Sequence, residues 1–337
     1  MSGGIAAGVN SFLSAILPTT KHFLALDIGG TKIAAGLVDS QGKILFQQRT
    51  PMFSRGEAAT GLNAVKTAID QTRNANPGAA IAAIGVSSPG PLDPKTGVIL
   101  NPPNLPCWRD FPLRAELERS YDLPVHVDND ANVAGLAEAL WGAATGHNYV
   151  FYVTIGTGIG TGVILNGRIY HGRTGAAAEG GHVSINYRGP VCACGKRGCI
   201  EALASGTAIA QRGQAKVTAN RSQGQMLLDL AKGDIFGINA KLIGQAWRKG
   251  DPLATSILRE TSDLLAIWLG NIIDLLEPDI VVVGGGVAEL ISGFFGRISE
   301  QLPKWSINQR RSEIPIMVAH YRADAGIAGA AALCLKA

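Results

Sequence analysis

The residues best suited to acid–base chemistry lie together in Val127-Asp128-Asn129-Asp130, where a strand-like apolar run meets an alanine-rich helical pattern. A carboxylate within hydrogen-bond reach of a hydroxyl can remove its proton as the oxygen attacks, which contributes on the order of 10²–10⁴-fold to the rate. Asp128 and Asp130 both fit this role. Because aspartate also favours the N-cap of a helix, capping is the alternative interpretation of either residue.

A second group of side chains has the spacing of a metal site. Three cysteines and one histidine within 18 residues offer four ligands: His182, Cys192, Cys194 and Cys199. Such a set satisfies tetrahedral Zn²⁺ and leaves no open position, so it predicts a structural zinc site. Free thiols in a loop are the alternative, but three so close together would be prone to oxidation. Cys107 and Cys334 have no such neighbours and are predicted to be buried thiols.

Three glycine-rich turns, at residues 27–32, 154–160 and 284–286, follow apolar runs and could bind phosphate. A triphosphate needs several backbone N–H groups pointing at its oxygens, and glycine lets the backbone approach. In the first turn Thr31 adds a hydroxyl, and Asp27 adds a carboxylate able to engage Mg²⁺ directly or through water. Such turns are often only structural, but three at matched positions favour a nucleotide. The predicted phosphate-binding set is Asp27, Gly29, Gly30, Thr31, Lys32, Gly156, Thr157, Gly158, Gly160, Gly284, Gly285 and Gly286.

An internal repeat positions these residues. A shift of 127 residues superposes Asp27 on Thr154 and Gly29 on Gly156, and each of these two turns joins one apolar run to another. The repeat predicts two α/β halves, each beginning with a glycine-turn hairpin, with a cleft between them.

Helical and strand patterns alternate after each hairpin. Predicted helices cover residues 57–74, 113–121, 131–144, 205–214, segments within 223–248, 251–276, 288–302 and 325–336, and predicted strands cover 80–87, 125–127, 279–283 and 314–319. A Rossmann arrangement is excluded because its glycine turn leads from a strand into a helix. A Walker A loop is excluded because no Gly-Lys-Ser/Thr pattern occurs.

Composition narrows the class of protein. A chain of 337 residues suits two domains, and 46% apolar with 17% charged residues is typical of a soluble protein. The net charge of +4, without a dense Lys/Arg block, argues against nucleic acid or a membrane as partner. Residues 1–21 lack a signal-peptide pattern and are predicted to be a flexible extension. Because the cysteines do not form a disulfide framework, we expect a cytoplasmic location.

The three turns resemble the phosphate and adenosine motifs of the actin/hexokinase ATPase superfamily. Glu179-Gly-Gly-His182 followed by Cys-x-Cys-Gly-x-x-Gly-Cys-x-Glu201 resembles the signature of the ROK family of bacterial sugar kinases and repressors, from about Leu24 to the C terminus. The resemblance implies a duplicated ribonuclease-H-like (actin-like ATPase) α/β fold with an interdomain active-site cleft and a structural zinc loop at 182–199. We expect a small domain over 22–135, completed by the helix 325–337, and a large domain over 136–324.

The resemblance also implies the roles of the site residues. Family kinases carry Asn-Asp-Ala-Asn at the place of residues 129–132, which assigns the catalytic base to Asp130 and puts Asn129 on the sugar. ATP with Mg²⁺ would occupy the glycine turns, and Zn²⁺ would be structural. The expected reaction transfers the γ-phosphate of ATP to the 6-hydroxyl of a hexose, glucose being the first candidate. The implied hexose-binding set is Gly90, Asn104, Asn129, Asp130, Glu179, His182 and Glu201.

Several properties rest on the resemblance alone. N-Acetylmannosamine, mannose, fructose or allose could replace glucose, polyphosphate could replace ATP, and a homodimer is implied. A sugar-responsive repressor is the alternative function, but the 26 residues before Asp27 show no helix-turn-helix pattern. Gly180 replaces the bulkier apolar residue usual in the family, which predicts a looser backbone beside Glu179.

Overall fold

Strands and helices alternate through residues 21–336, the part of the chain that the computed structural model describes. Residues 1–20 of the predicted extension lie outside this part. The strands are β1 His22–Ile28, β2 Lys32–Asp39, β3 Ile44–Pro51, β4 Ile81–Ser88, β5 Leu92–Asp93, β6 Val98–Ile99, β7 Val125–Asn129, β8 Tyr149–Ile155, β9 Ile159–Leu165, β10 Arg168–Ile169, β11 Ile280–Gly284 and β12 Ile316–Val318. The helices are α1 Ala58–Asn74, α2 Leu113–Tyr121, α3 Asp130–Trp141, α4 Ile200–Ala204, α5 Gly206–Ala219, α6 Gln225–Leu230, α7 Ala240–Arg248, α8 Pro252–Leu276, α9 Ala288–Ser292, α10 Phe295–Gln301 and α11 Ala325–Lys336.

Two five-stranded sheets repeat one topology. The first has the order β3-β2-β1-β4-β7 and the second β10-β9-β8-β11-β12. In each, an antiparallel hairpin (β1–β2 or β8–β9) is followed by two parallel neighbours. The first hairpin turn lies between the paired residues Ile28 and Ile33, and the second between Ile155 and Ile159, which makes it one residue shorter. The predicted repeat is therefore confirmed at the level of strand order and direction.

Two helices rich in small residues pack closely between the sheets. Helix α11 lies against β1 and β4, where a side chain at Gly85 would collide with the carbonyl oxygen of Ala330. Helix α3 lies against β9, with the Ala131 carbonyl oxygen 2.7 Å from where a Cβ of Gly162 would be. Such backbone contact requires glycine and alanine, which explains the small-residue composition. The predicted domain boundary at 135/136 falls inside α3 and stays a prediction.

Each half has its own apolar core. In the second half, Phe151 of β8 packs edge-on against Trp268 of α8, with ring centroids 5.6 Å apart. In the first half, Trp108 is fully buried and stacks on Phe111. No helix among the described residues is long and apolar enough to cross a membrane.

Two predicted elements differ from the structure. The helix predicted at 288–302 is broken into α9 and α10 around Gly293, where a side chain would collide with the Trp247 ring. Trp247 packs on Phe294 at 5.2 Å between ring centroids, so tertiary packing overrides a helical pattern already weakened by glycine. The helix predicted at 205–214 begins where expected, capped by the Ser205 hydroxyl, but continues to Ala219.

Candidate active site

The two aspartates at the end of β7 have different surroundings. Asp128 is buried, and its carboxylate accepts hydrogen bonds from Asn129 N (2.7 Å), Asn132 Nδ2 (3.0 Å) and His171 Nε2 (2.6 Å). The N-cap of α3 is Asn129, whose side chain accepts from Ala131 N, so neither aspartate is the capping residue. Asp130 remains accessible to solvent, and it is the carboxylate that a substrate can reach.

Asp130 has solvent-exposed surface, yet its carboxyl group has many protein atoms around it. The pKa of Asp130 is raised to about 6, chiefly by this desolvation and to a smaller extent by the nearby charges of Asp27 and Glu179. Hydrogen bonds from Ala131 N and Asn129 oppose the shift but do not cancel it. A carboxylate with a pKa near 6 is mostly ionised at neutral pH and is a stronger base than an ordinary aspartate.

The first glycine turn brings Asp27 to the same cleft. Its carboxylate accepts a hydrogen bond from the Ser87 hydroxyl at 2.9 Å and packs against Gly326 at the start of α11, which has no side chain to displace it. Burial raises the pKa of Asp27, and the Ser87 hydrogen bond and the charge of Lys32 offset part of the effect. A divalent cation would favour the ionised form of such a carboxylate, so Asp27 fits the predicted Mg²⁺ role.

The predicted sugar-binding residues come from separated loops. Gly90 lies beside Asn129, whose Nδ2 is 3.2 Å from where a Cβ of Gly90 would be. Asn104 is exposed, and its carbonyl oxygen is 2.8 Å from where a Cβ of Gly30 would be, so this loop reaches the first glycine turn. Glu179 is exposed at the start of a short 3₁₀ helix. Gly90 thus lies beside Asn129, the neighbour of Asp130, Glu179 is close enough for its charge to act on Asp130, and Asn104 lies at the first glycine turn.

The backbone beside Glu179 is held tightly, which contradicts the expectation drawn from Gly180. Gly180 N donates to the Thr161 hydroxyl at 2.8 Å, and Gly180 O accepts from Trp268 Nε1 at 3.0 Å. A Cβ on residue 180 would lie only 2.8 Å from Thr161 Oγ1. Glycine therefore allows close contact with β9 here rather than loosening the chain.

The four predicted metal ligands converge. The ligand atoms of His182, Cys192, Cys194 and Cys199 all lie within 4.8 Å of one another. Cys192 Sγ is 3.6 Å from His182 Nδ1, and Cys194 Sγ is 3.7 Å from Cys199 Sγ. Tetrahedral zinc with its usual bond lengths separates two sulfurs by about 3.8 Å and a sulfur from a nitrogen by about 3.6 Å. The donor set therefore fits Zn²⁺ in both chemistry and size.

Glu201 connects this cluster to the second glycine turn. Its Oε2 accepts a hydrogen bond from Ile159 N at 2.9 Å, and its Oε1 is 3.6 Å from Cys192 Sγ and 3.9 Å from His182 Nδ1. The carboxylate also packs against Gly158. One carboxylate oxygen of Glu201, a predicted sugar-binding residue, thus already accepts a backbone hydrogen bond. Sequence spacing could not indicate this contact, because residues 159 and 201 are far apart in the chain.

A cavity of about 880 Å³ opens beside the second turn. Gly156, Thr157 and Gly286 line it as predicted, whereas Gly284 faces Tyr152 and Gly285 packs against the Ile155 carbonyl oxygen with a φ of +87°. The prediction missed the start of α5: Gly206 N donates to Gly156 O, and the Thr207 hydroxyl donates to Thr157 O, each at 2.8 Å. The Ser-Gly pair at 205–206 indicated a helix cap but not this contact.

The predicted site residues thus come from both halves. Asp27, Asn129 and Asp130 lie at strand ends of the first sheet, Glu179 and Glu201 belong to the second half, and Gly156 and Gly286 border the cavity there. Two sheets of one topology, each with a glycine turn in its antiparallel hairpin, define an α/β protein of the actin-like ATPase fold, as predicted.

The sequence profile of the ROK family matches residues 23–337, and the chain belongs to this family. It is 34% identical over 311 residues to a glucokinase of Streptomyces coelicolor, covering 92% of this chain and 96% of that protein. It is 33% identical over 314 residues to an N-acetylmannosamine kinase of Escherichia coli, covering 93% and 98%. A crystal structure of a ROK family glucokinase from Streptomyces griseus with glucose and AMPPNP superposes with a TM-score of 0.79 at 35% identity, covering 94% and 100% of the two chains.

Proposed function

We propose that this protein transfers the γ-phosphate of ATP to the 6-hydroxyl of a hexose, with glucose as the preferred acceptor. The observation that carries the proposal is that Asp128 and Asp130, two residues apart, have different surroundings. Asp128 is buried and accepts three hydrogen bonds from protein groups, whereas Asp130 is accessible and has a pKa raised to about 6. This is the arrangement that a general base for an alcohol requires.

In the proposed reaction the 6-oxygen of the hexose attacks the γ-phosphorus of ATP and ADP leaves. Asp130 accepts the proton of the 6-hydroxyl as the new bond forms. Asn104, Asn129, Glu179, His182 and Glu201 hold the sugar hydroxyls, and the glycine turns hold the phosphates. Mg²⁺ beside Asp27 would neutralise charge on the phosphates when bound. Positioning provides most of the rate, because phosphoryl transfer needs little covalent participation by the protein. Zn²⁺ bound by His182, Cys192, Cys194 and Cys199 would fix the loop that presents His182.

The acceptor is tested with purified protein, ATP and a panel of glucose, N-acetylmannosamine, mannose, fructose and allose in an ADP-coupled assay. Similarity to the Streptomyces coelicolor glucokinase supports glucose, and similarity to the Escherichia coli kinase makes N-acetylmannosamine the second candidate. We expect the highest kcat/KM with glucose. A higher value with N-acetylmannosamine would overturn the glucose assignment, and no turnover with any sugar would overturn the kinase itself. Replacing ATP by polyphosphate tests the donor when the hexose phosphate product is measured directly, because no ADP is then formed. The homodimer and the cytoplasmic location stay predictions.

A further inference from the structure

The geometry points to His171 as a positioning residue that holds the catalytic segment of one half against the sugar-binding loop of the other. This inference deepens the proposed function and rests on it. Sequence spacing alone indicates no partner for His171. In the folded chain its Nε2 lies 2.6 Å from Asp128 Oδ2.

The direction of this hydrogen bond follows from the chemistry of the partners. An ionised carboxylate only accepts, so His171 donates through Nε2–H. The other Asp128 oxygen accepts from Asn129 N and Asn132 Nδ2. Among the described residues, His171 is the side chain that donates to Oδ2, and Asp128 is only 3% exposed. Loss of this donor would leave a buried carboxylate oxygen without its protein partner, and water that replaced the donor would not hold the segment in place.

Movement of Asp128 would be transmitted directly to the base. Asp128 and Asp130 are two residues apart, and the backbone between them is held by the Asp128 and Asn129 side chains. A displacement of about 1 Å at a reacting group can cost on the order of 10²-fold in rate. His171 therefore acts on catalysis through the position of Asp130, without touching the substrate.

The same histidine begins the loop that leads to Glu179. Its carbonyl oxygen accepts hydrogen bonds from Gly175 N at 3.1 Å and Ala177 N at 3.2 Å, and the Ala178 carbonyl that follows accepts from the Thr161 hydroxyl. His171 follows β10 of the second sheet, whereas Asp128 lies on β7 of the first. The His171–Asp128 bond thus joins the base segment in one half to the Glu179 loop in the other.

A cavity of about 410 Å³, which shares no lining residue with the cavity of about 880 Å³, reaches this bond. His171 and Asp128 line it together with Lys95, Arg114, His126 and Arg168. The His171 side chain is 32% exposed. A molecule as small as imidazole therefore has access to the space that truncation of His171 would create, which allows the missing donor to be supplied from solution.

The test compares His171→Ala, His171→Gln and a matched control, His126→Gln, which changes a histidine of the same cavity without a hydrogen bond to Asp128. We expect His171→Ala to lower kcat roughly tenfold to a hundredfold while the KM for ATP changes little, because the nucleotide cavity lies in the other half. His171→Gln should recover much of this loss, since its amide N–H₂ can donate to Asp128. Millimolar imidazole should raise kcat of His171→Ala but not of wild type or Asp130→Asn.

The possible outcomes separate this role from the proposed function. An inactive wild type would overturn the kinase and this role with it. An active wild type with His171→Ala within about twofold of its kcat would overturn the role alone. If His171→Ala is too unstable to assay, His171→Gln is used instead. A folded His171→Gln variant with wild-type KM for ATP and substantial kcat supports the hydrogen bond. A His171→Gln variant as inactive as Asp130→Asn contradicts it. If His126→Gln lowers kcat as much as His171→Ala does, the positioning role of His171 is also contradicted.

Discussion

The first and second halves of this protein share one sheet topology but differ in what their strand ends carry. The end of β1 carries Asp27 and the end of β7 carries Asp128, Asn129 and Asp130, whereas Thr154 occupies the position equivalent to Asp27 in the second half. The end of β11 carries glycines beside a cavity of about 880 Å³. At these strand ends the first half thus carries carboxylates, whereas the second carries glycine backbone beside open space; the carboxylates Glu179 and Glu201 of the second half come from other segments.

The difference shows how one duplicated scaffold can serve two substrates. Carboxylates close together raise each other's pKa, as Asp27 and Glu179 do for Asp130, and a negatively charged triphosphate binds poorly among them without a cation. Strand ends without such carboxylates would accommodate a nucleotide more easily. In the proposed function the nucleotide and the sugar then meet at Asp130. Four experiments test this comparison.

The largest effect is expected from Asp130→Asn, which removes the base of the first half. The amide keeps the shape but cannot accept the proton, so kcat should fall by 10²-fold or more while the KM for glucose changes little. Because the folded protein disfavours the ionised form of Asp130, the substitution should not lower the melting temperature. The control is Asp122→Asn. Asp122 is the C-cap residue of α2 and has the left-handed backbone conformation, which asparagine also adopts readily. If Asp130→Asn keeps more than about a tenth of the wild-type kcat, Asp130 is not the general base.

The next effect is expected from the zinc loop of the second half. Cys194 is exposed, so Cys194→Ser removes a ligand with little change in packing. Zinc content measured by plasma mass spectrometry should fall from about one per chain to near zero, with a lower melting temperature and loss of activity as His182 moves. Cys334→Ala, outside the cluster, should keep its zinc. A wild-type protein that carries no zinc after growth in zinc-supplemented medium would contradict the site.

An intermediate effect is expected from pH. A carboxyl group whose pKa is raised to about 6 is protonated as the pH falls through that value, and the protonated form cannot act as a base. The kcat/KM for the hexose should therefore be about a tenth as large at pH 5 as at pH 8. The residual rate of Asp130→Asn should lack this dependence. A wild-type profile that is flat down to pH 5 would show that Asp130 is not the titrating base.

The smallest effect is expected from Gly286→Ala in the nucleotide half. A Cβ on Gly286 meets no atom within 4 Å, so the methyl group would project into the empty cavity without disturbing the fold. The KM for ATP should rise roughly three- to tenfold, tenfold corresponding to about 1.4 kcal/mol, with the hexose KM and the melting temperature unchanged. Gly78→Ala also has open space but lies outside the cavity, and serves as the control. An unchanged KM for ATP would exclude Gly286 from the nucleotide contact.

Local features of the sequence were sufficient to predict much of this protein. The glycine turns, the repeat and the strand-to-helix junction at Asp130 each depend on residues close in the chain, so their patterns survive without knowledge of the fold. The cysteine and histidine spacing predicted a cluster that the structure brings together. Family resemblance, rather than spacing, chose Asp130 over Asp128.

Contacts between distant segments were decided by the tertiary structure. The pairing of His171 with Asp128, of Glu201 with Ile159 and of Gly180 with Thr161 joins residues from different strands and loops. The break between α9 and α10 likewise depends on Trp247, far away in sequence. Sequence periodicity reports which face of an element is apolar, but which polar group satisfies a buried carboxylate depends on packing in three dimensions. For that reason the sequence identified the chemical groups, and the fold determined which of them remain free to react.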